Sequence, residues 1–245
     1  MSYAERATNS VCDDLHRDLL SAGVDKSSLL PEALRHLRRD GVCVIDDVLA
    51  PALVATPAAI VRAIVEDNYT ARMEEAERRA AAGETRIDVW PDERGVVRVC
   101  LDIVDNRFRS LVTHPLVATA ASELLGPDWE VSGMELRVPL PGFGHQGLHQ
   151  DIESPTDATI WQRVRMTWVL SAFTVETGTY RFIPGSHLTG PPAETGIGMP
   201  PHPDEVRVIA APGAIVLKSA HVWHSGTFNA SAEPRLSIDI DYRSA

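Results

Sequence analysis

The residue types best suited to chemistry stand at His149 and Asp151, two positions apart in a segment whose sequence favours an extended strand. Successive strand side chains point to opposite faces, so an imidazole and a carboxylate at i and i+2 can reach one point. A divalent metal ion is the commonest reason for such a pair, and it needs a third ligand. The best candidate is His224, with His221 nearly equivalent in its chemistry. Two histidines and one carboxylate form the facial triad of non-haem Fe(II) oxygenases.

These candidates belong to a second half of the chain in which short strand-like runs are separated by Gly and Pro. The predicted strands are 129–139, 146–152, 164–173, 179–183, 206–210, 214–218 and 235–243. Because no stretch of helical length separates them, a parallel βαβ architecture is disfavoured, and we predict a sandwich or barrel with flanking helices. Two polar segments, 152–163 and 188–205, interrupt the strands and are either candidate lids or plain surface connections.

The first half is predicted to be mainly helical and to support the strands of the second. Its predicted elements are a helix from Pro31 to Asp40, a strand at 42–45, helices over 52–82 and 115–125, and extended segments at 86–90 and 95–101. We therefore predict one domain over 1–245, with 1–128 mostly helical support and outer strands and 129–245 most of the core.

Composition excludes several classes of partner. The 245 residues are 44% hydrophobic and 23% charged, as is ordinary for a globular protein. The formal charge of −11 argues against binding to nucleic acid or an anionic membrane, since basic surfaces bind both. No apolar run approaches the roughly 20 residues of a membrane-spanning helix. Residues 1–6 do not resemble a signal peptide, so we expect a cytoplasmic protein whose partner is a small molecule.

The ligand candidates occur within a wider set of motifs. His149-x-Asp151 is followed by Phe182-Ile183-Pro184-Gly185-Ser186-His187, by His224 and by Arg235, and the helix-and-strand run Leu34–Ile45 precedes them all. Together these motifs resemble the phytanoyl-CoA dioxygenase family of Fe(II)/2-oxoglutarate oxygenases, over roughly residues 30–243. The resemblance implies a mainly β fold, a double-stranded β-helix or jelly roll with cupin-like architecture, and it implies Fe(II), 2-oxoglutarate and O2 as cofactors and co-substrates.

The resemblance also implies roles for particular residues. His149, Asp151 and His224 match the iron ligands of the family. Arg235 matches the cation that pairs with the distal carboxylate of 2-oxoglutarate, a contact that favours a charge-assisted and bidentate partner. Only His224 has the family's spacing to that arginine, which selects it over His221. From the residues alone, Arg235 would be an ordinary solvent-facing arginine.

Four further residues are candidates for the co-substrate pocket. They are Trp168, Thr167, Gln146 and Arg137. Trp168 matches a family position near the co-substrate, and a core tryptophan fits the sequence equally well. Two motifs depart from the family: its Asn-Gly pair is Thr177-Gly178 here, and its Ser two residues after the distal histidine is Gly226.

The expected activity is oxidation of a C–H bond in a small organic metabolite, most simply hydroxylation, with release of succinate and CO2. Asp151 favours hydroxylation, or another C–H oxidation such as desaturation or ring formation, over halogenation, because halogenating relatives carry Gly or Ala there and leave a coordination position for chloride. Lys26 and Lys218 are the only lysines, and this arginine-rich composition indicates a bacterial genome of high GC content and hence bacterial specialised metabolism. Two alternatives are a non-catalytic jelly roll that binds a ligand and a cupin-like metalloenzyme that does not use 2-oxoglutarate.

Overall fold

A computed structural model describes residues 27–83, 96–101, 105–152, 161–190 and 201–245. The helices are α1 (Leu30–Asp40), α2 (Pro51–Ala81), α3 (Arg109–Val112) and α4 (Pro115–Leu125), with 3-10 turns at Ser27–Leu29, Asn106–Phe108 and Ser186–Leu188. The strands are β1 (Val42–Ile45), β2 (Val96–Cys100), β3 (Trp129–Pro139), β4 (Arg163–Val169), β5 (Tyr180–Phe182), β6 (Val206–Arg207), β7 (Ile215–Ser219), β8 (His224–Gly226) and β9 (Ser237–Ser244). The predicted segment 86–90 and the central parts of both polar loops lie outside the described residues.

Two antiparallel sheets form the core of a jelly roll. The larger sheet has the order β1-β7-β4-β9-β3-β2, and the smaller has the order β6-β5-β8. The first half of the chain supplies β1 and β2, which occupy the two edges of the larger sheet. The predicted fold class, a mainly β jelly roll with flanking helices, is confirmed. Among the described residues, no helix is both long and apolar enough to cross a membrane.

The larger sheet presents different chemistry on its two faces. One face is apolar and packs on the helices, so that Met166 and Trp168 of β4 share a buried core with Leu37 of α1 and Val117 of α4. The other face turns toward the smaller sheet, where the hydroxyl of Tyr180 on β5 donates a hydrogen bond to Thr167 of β4. Because strand side chains alternate, neighbouring residues of β4 serve opposite sides of the sheet.

The junction between α1 and β1 holds the helical layer against the segment before His224. The helix buries its leucines on one face, as their spacing predicts, and ends at Gly41 with a φ of 85°. A Cβ on Gly41 would lie 2.7 Å from Val222 Cγ2 and 2.8 Å from His187 Nδ1. Only glycine combines this backbone conformation with so close an approach.

Most predicted boundaries agree with the structure, but three predicted strands are shorter than expected and β8 was not predicted. One of the three, 206–210, is a strand only at Val206–Arg207. The predicted strand 146–152 reduces to one bridge between His149 and His224, because the next backbone contact, from Asp151 N–H, goes to Ala220 outside β8. The predicted strand 164–173 ends at Val169, since the following two backbone N–H groups both donate to the carbonyl of Leu236 and break the ladder.

Candidate metal centre

Three metal-ligand candidates, His149, Asp151 and His224, converge on one point. One donor atom from each lies within 4.8 Å of the others. The backbones of the two histidines pair through reciprocal hydrogen bonds of 2.9 Å, and their rings lie 4.4 Å apart between centroids. Asp151 is placed beside them by its backbone N–H, which donates to the carbonyl of Ala220 at 3.0 Å. The side-chain convergence expected from the i, i+2 spacing is therefore present without a regular strand.

Backbone carbonyls orient both imidazoles toward this point. Nδ1 of His149 lies 2.9 Å from the carbonyl oxygen of Gly147, and Nδ1 of His224 lies 3.0 Å from that of Val222. A carbonyl oxygen only accepts, so each Nδ1 carries the proton and donates it. The lone pair of each ring is then on Nε2, the arrangement that metal-ligating histidines adopt when a carbonyl holds the other nitrogen.

Burial and neighbouring charges set protonation states that suit a metal ion. Burial lowers the pKa of His149, and it lowers the pKa of His224 well below its usual range, with Lys218 adding to the effect. Burial alone would raise the pKa of Asp151, but the positive charges of Lys218 and Arg165 hold that pKa well below the ordinary value. At neutral pH the cluster thus offers two neutral imidazoles and one carboxylate, the forms that bind a divalent ion.

Lys218 is a fourth member of this cluster, and the sequence analysis assigned it no role. The residue is only 1% exposed, and its Nζ lies 2.5 Å from Oδ2 of Asp151 and 2.6 Å from Nε2 of His224. Burial lowers the pKa of Lys218 to about 8, although the Asp151 carboxylate opposes the shift. A signal was present: one of two lysines in the chain directly follows the apolar run Ile-Val-Leu of β7.

Arg235 is fully enclosed near the same interior, contrary to the ordinary solvent-facing interpretation of its sequence. It is 1% exposed, and its guanidinium carbon lies 4.5 Å from the centroid of the Phe173 ring. Within the described part of the chain, its Nε and Nη1 have no hydrogen-bond partner. Burial lowers the pKa of Arg235 to about 10. A buried guanidinium with unpaired donors is suited to a carboxylate ligand.

Arg137 and Gln146 form a second polar pair at this interior. Both are buried, and Nη2 of Arg137 donates to Oε1 of Gln146. The same oxygen accepts from the backbone N–H of Gly226 at 3.1 Å, and Nε2 of Gln146 has no partner among the described residues. A Cβ on Gly226 would lie 2.5 Å from the carbonyl oxygen of Gly144. A side chain at position 226 would therefore require the Gly144 segment to move.

Thr167 and Trp168 are neighbours in β4 and lie on opposite faces. The hydroxyl of Thr167 donates to Oδ1 of Asp239 at 2.8 Å within the interior between the sheets. Trp168 packs instead against the helices, with its ring 5.4 Å from that of His114 in an edge-on arrangement. The structure does not bring Trp168 to the cluster, because strand alternation turns it away from Thr167. Its position does not support contact with a co-substrate.

His221, the alternative ligand of the sequence analysis, and His187, at the end of the Pro-Gly-Ser-His motif, lie apart from the cluster. The convergent donor group contains His224 and not His221, whose backbone N–H donates to Ser219 Oγ at 3.3 Å. His187 points to the helical layer, with Nε2 at 3.1 Å from the carbonyl oxygen of Arg38.

A buried ionic network extends from the cluster along β4 and β9. Arg165 donates from Nε and Nη2 to the two carboxylate oxygens of Asp241, at 3.0 and 2.8 Å, and Arg163 Nη2 donates to the same carboxylate at 2.6 Å. Sequence analysis missed this network. The signal was a polar alternation in both strands, which is ordinarily read as a solvated face.

One known protein family matches most of the chain. The profile of the family described as "Phytanoyl-CoA dioxygenase (PhyH)" matches residues 37–237. Dioxygenase trt7 of Aspergillus terreus is 28% identical over 227 residues, covering 85% of this chain and 71% of its own length. Dioxygenase af480 of Aspergillus fumigatus is 27% identical over 229 residues, covering 89% of this chain and 72% of its own.

Solved structures share the fold. The epimerase SnoN from nogalamycin biosynthesis, described as non-haem and alpha-ketoglutarate-dependent, superposes with a TM-score of 0.63 at 24% identity, covering 89% of this chain and 82% of its own. EctD from S. alaskensis, solved with 2-oxoglutarate and 5-hydroxyectoine, has a TM-score of 0.63 at 18% identity. The superposition covers 87% of this chain and 75% of EctD.

Proposed function

Because the chain belongs to the phytanoyl-CoA dioxygenase family, we propose that it is an Fe(II)- and 2-oxoglutarate-dependent dioxygenase that hydroxylates a small organic metabolite and releases succinate and CO2. The observation that carries the proposal is the convergence of His149, Asp151 and His224, whose donor atoms lie within 4.8 Å of one another. Two imidazoles and one carboxylate are the donor set of this enzyme class. Bound iron would supply the activation of O2 and the oxidation of the C–H bond.

The residues of the chain supply binding, orientation and charge. His149, Asp151 and His224 would hold the iron, with their imidazoles oriented by backbone carbonyls. Arg235 would bind the distal carboxylate of 2-oxoglutarate, because its unpaired Nε and Nη1 can donate hydrogen bonds to the carboxylate oxygens. Arg137, Gln146 and Thr167 would line the same interior; Trp168 stays outside this set.

The substrate is proposed as a free metabolite. The sequence has no basic cluster that would recognise the phosphates of coenzyme A. Asp151 supports hydroxylation, since a carboxylate ligand fills the position that a chloride would need. The bacterial origin rests on composition alone, whereas the two relatives named above are fungal.

The test is an anaerobic titration of the protein with Fe(II) and 2-oxoglutarate. We expect a weak visible charge-transfer band in the wild type, because 2-oxoglutarate chelates the iron, and we expect its loss in His149→Ala and in Asp151→Ala. The matched control is His221→Ala, which removes a neighbouring histidine outside the donor group and should keep the band. Absence of the band in the wild type would overturn the proposal.

A further inference from the structure

Lys218 places a positive charge directly against two of the proposed metal ligands. It lies on β7, opposite Arg165 of β4 in the sheet register. Its ammonium group contacts Oδ2 of Asp151 at 2.5 Å and Nε2 of His224 at 2.6 Å, and it has almost no contact with solvent. A buried ammonium needs partners that accept hydrogen bonds. Here those acceptors are the groups that the proposed iron would need.

The contact with His224 excludes a metal ion from the same nitrogen. Nδ1 of His224 donates to the carbonyl of Val222, so Nε2 holds the only lone pair of the ring. The Lys218 ammonium has donors and no lone pair, and it takes that lone pair. A metal ion bound to Nε2 would need it too, so the two cations compete for one site.

The contact with Asp151 involves a different atom from the one that faces the histidine. Lys218 is bonded to Oδ2, whereas Oδ1 lies 3.6 Å from Nε2 of His224. One oxygen is therefore available toward the donor cluster while the other holds the lysine. The ammonium can leave the imidazole and keep its ion pair with the carboxylate.

Building on the proposed metal centre, we propose that the Lys218 ammonium is an internal cation that fills this centre in the metal-free protein and is displaced from His224 by an entering divalent ion. In the metal-free state it neutralises the buried carboxylate of Asp151, which among the described residues would otherwise face neutral imidazoles and the more distant Arg165. Lys218 is a positioning residue by this account: it keeps the ligands together until the metal arrives, and it weakens metal binding by competing for the same nitrogen.

The first test compares the affinity of wild type and Lys218→Met for Co(II) alone, measured by calorimetry and by the visible spectrum of the bound ion. Methionine has a similar length and no charge, so we expect the Co(II) dissociation constant to fall at least tenfold. The matched control is Lys26→Met, which removes the other lysine of the chain and should leave the dissociation constant unchanged. A fall of less than tenfold, no change or a rise overturns the inference.

The second test keeps Lys218 unchanged. It tests the displacement of Lys218 by a metal ion even if Lys218→Met does not fold. Protein carrying Lys26→Met and 13C-labelled lysine has one lysine side-chain signal, from Lys218. Zn(II) should shift that signal in proportion to the zinc bound. An unshifted signal in zinc-loaded protein overturns the inference about Lys218 and leaves the proposed function standing. If the wild type binds neither Co(II) nor Zn(II), the proposed function fails as well. Metal binding by the wild type therefore distinguishes failure of the Lys218 inference from failure of the proposed function.

Discussion

At the scale of single residues, the interior between the sheets contains charged side chains that are paired with carboxylates and a buried arginine with unpaired donors. Arg165 is paired with Asp241, and Lys218 is paired with Asp151. Arg235 is equally buried, yet two of its nitrogens have no partner among the described residues. An unpaired buried charge destabilises a folded protein, so its retention indicates a ligand that completes the pairing.

Replacing Arg235 tests that interpretation. Arg235→Met should raise the dissociation constant of 2-oxoglutarate at least tenfold, since charge-assisted hydrogen bonds contribute about 1.5–3 kcal/mol each. Stability without 2-oxoglutarate should not fall, because methionine removes an unpaired buried charge. Calorimetry on the Co(II)-loaded protein and urea unfolding measure the two effects.

The control for Arg235→Met is Arg62→Met, which removes an exposed arginine whose Nη1 lies 3.6 Å from a carboxylate oxygen of Glu233. It should leave the affinity for 2-oxoglutarate unchanged. An unchanged affinity in Arg235→Met itself would contradict the proposed role and would favour a metalloenzyme that does not use 2-oxoglutarate.

At the scale of elements, the turns around the strands place the candidate metal ligands. Gly41, between α1 and β1, lets the helical layer approach Val222 and His187. Gly226 in β8 leaves room for Gln146 and the Gly144 carbonyl. At Gly41 a methyl group would push on Val222, two residues before His224, and at Gly226 it would push on Gly144 and Gln146, which precede His149. The ligand geometry thus depends on backbone approach as well as on ligand identity.

Gly41→Ala should therefore lower stability more than a comparable change elsewhere. The left-handed conformation costs a non-glycine residue about 1–2 kcal/mol, and crowding at Val222 Cγ2 should add about 1–3 kcal/mol. The matched control is Gly83→Ala, which has the same φ of 85° with no atom of the described residues within 4 Å of the added Cβ. Urea unfolding and Co(II) affinity are the measurements, and equal losses in both variants would contradict the account.

At the scale of the whole molecule, the fold sequesters several ionisable groups in their neutral forms. Burial lowers the pKa of His114 between the sheet and the helices, of His187 beside α1, and of His224 at the metal centre. Each histidine must lose its burial to gain a proton easily. The helical layer and the jelly roll therefore become less stable together when these groups are protonated.

The metal-free protein should accordingly lose stability as the pH falls from 7 to 5. A histidine with a lowered folded pKa binds more protons when unfolded, so its contribution is complete above the unfolded pKa near 6.5 and declines below it. Each such histidine contributes a slope of up to about 1.4 kcal/mol per pH unit. Urea unfolding at several pH values measures the slope, and a flat profile from pH 7 to 5 would contradict it. His114→Gln should reduce it.

Much of the architecture and the ligand set follows from local patterns. The strand 129–139, the strand 42–45 and the helix 115–125 were predicted with the bounds that the structure has. The candidate ligands could be named from the sequence because the i, i+2 rule pairs His149 with Asp151, while the family resemblance selects His224 over His221. The single domain over 1–245 and the roles of the site residues stay predictions.

What the sequence by itself determined is the set of residue types, their spacing and the resemblance that joins them. Only the tertiary structure decided which face of β4 is interior, and so separated Thr167 from Trp168. It alone brought Lys218 to Asp151 and His224, and it alone left Arg235 buried with unpaired donors. The physical reason is that strand periodicity divides side chains between two faces, while the packing of one sheet on another determines which face surrounds the site.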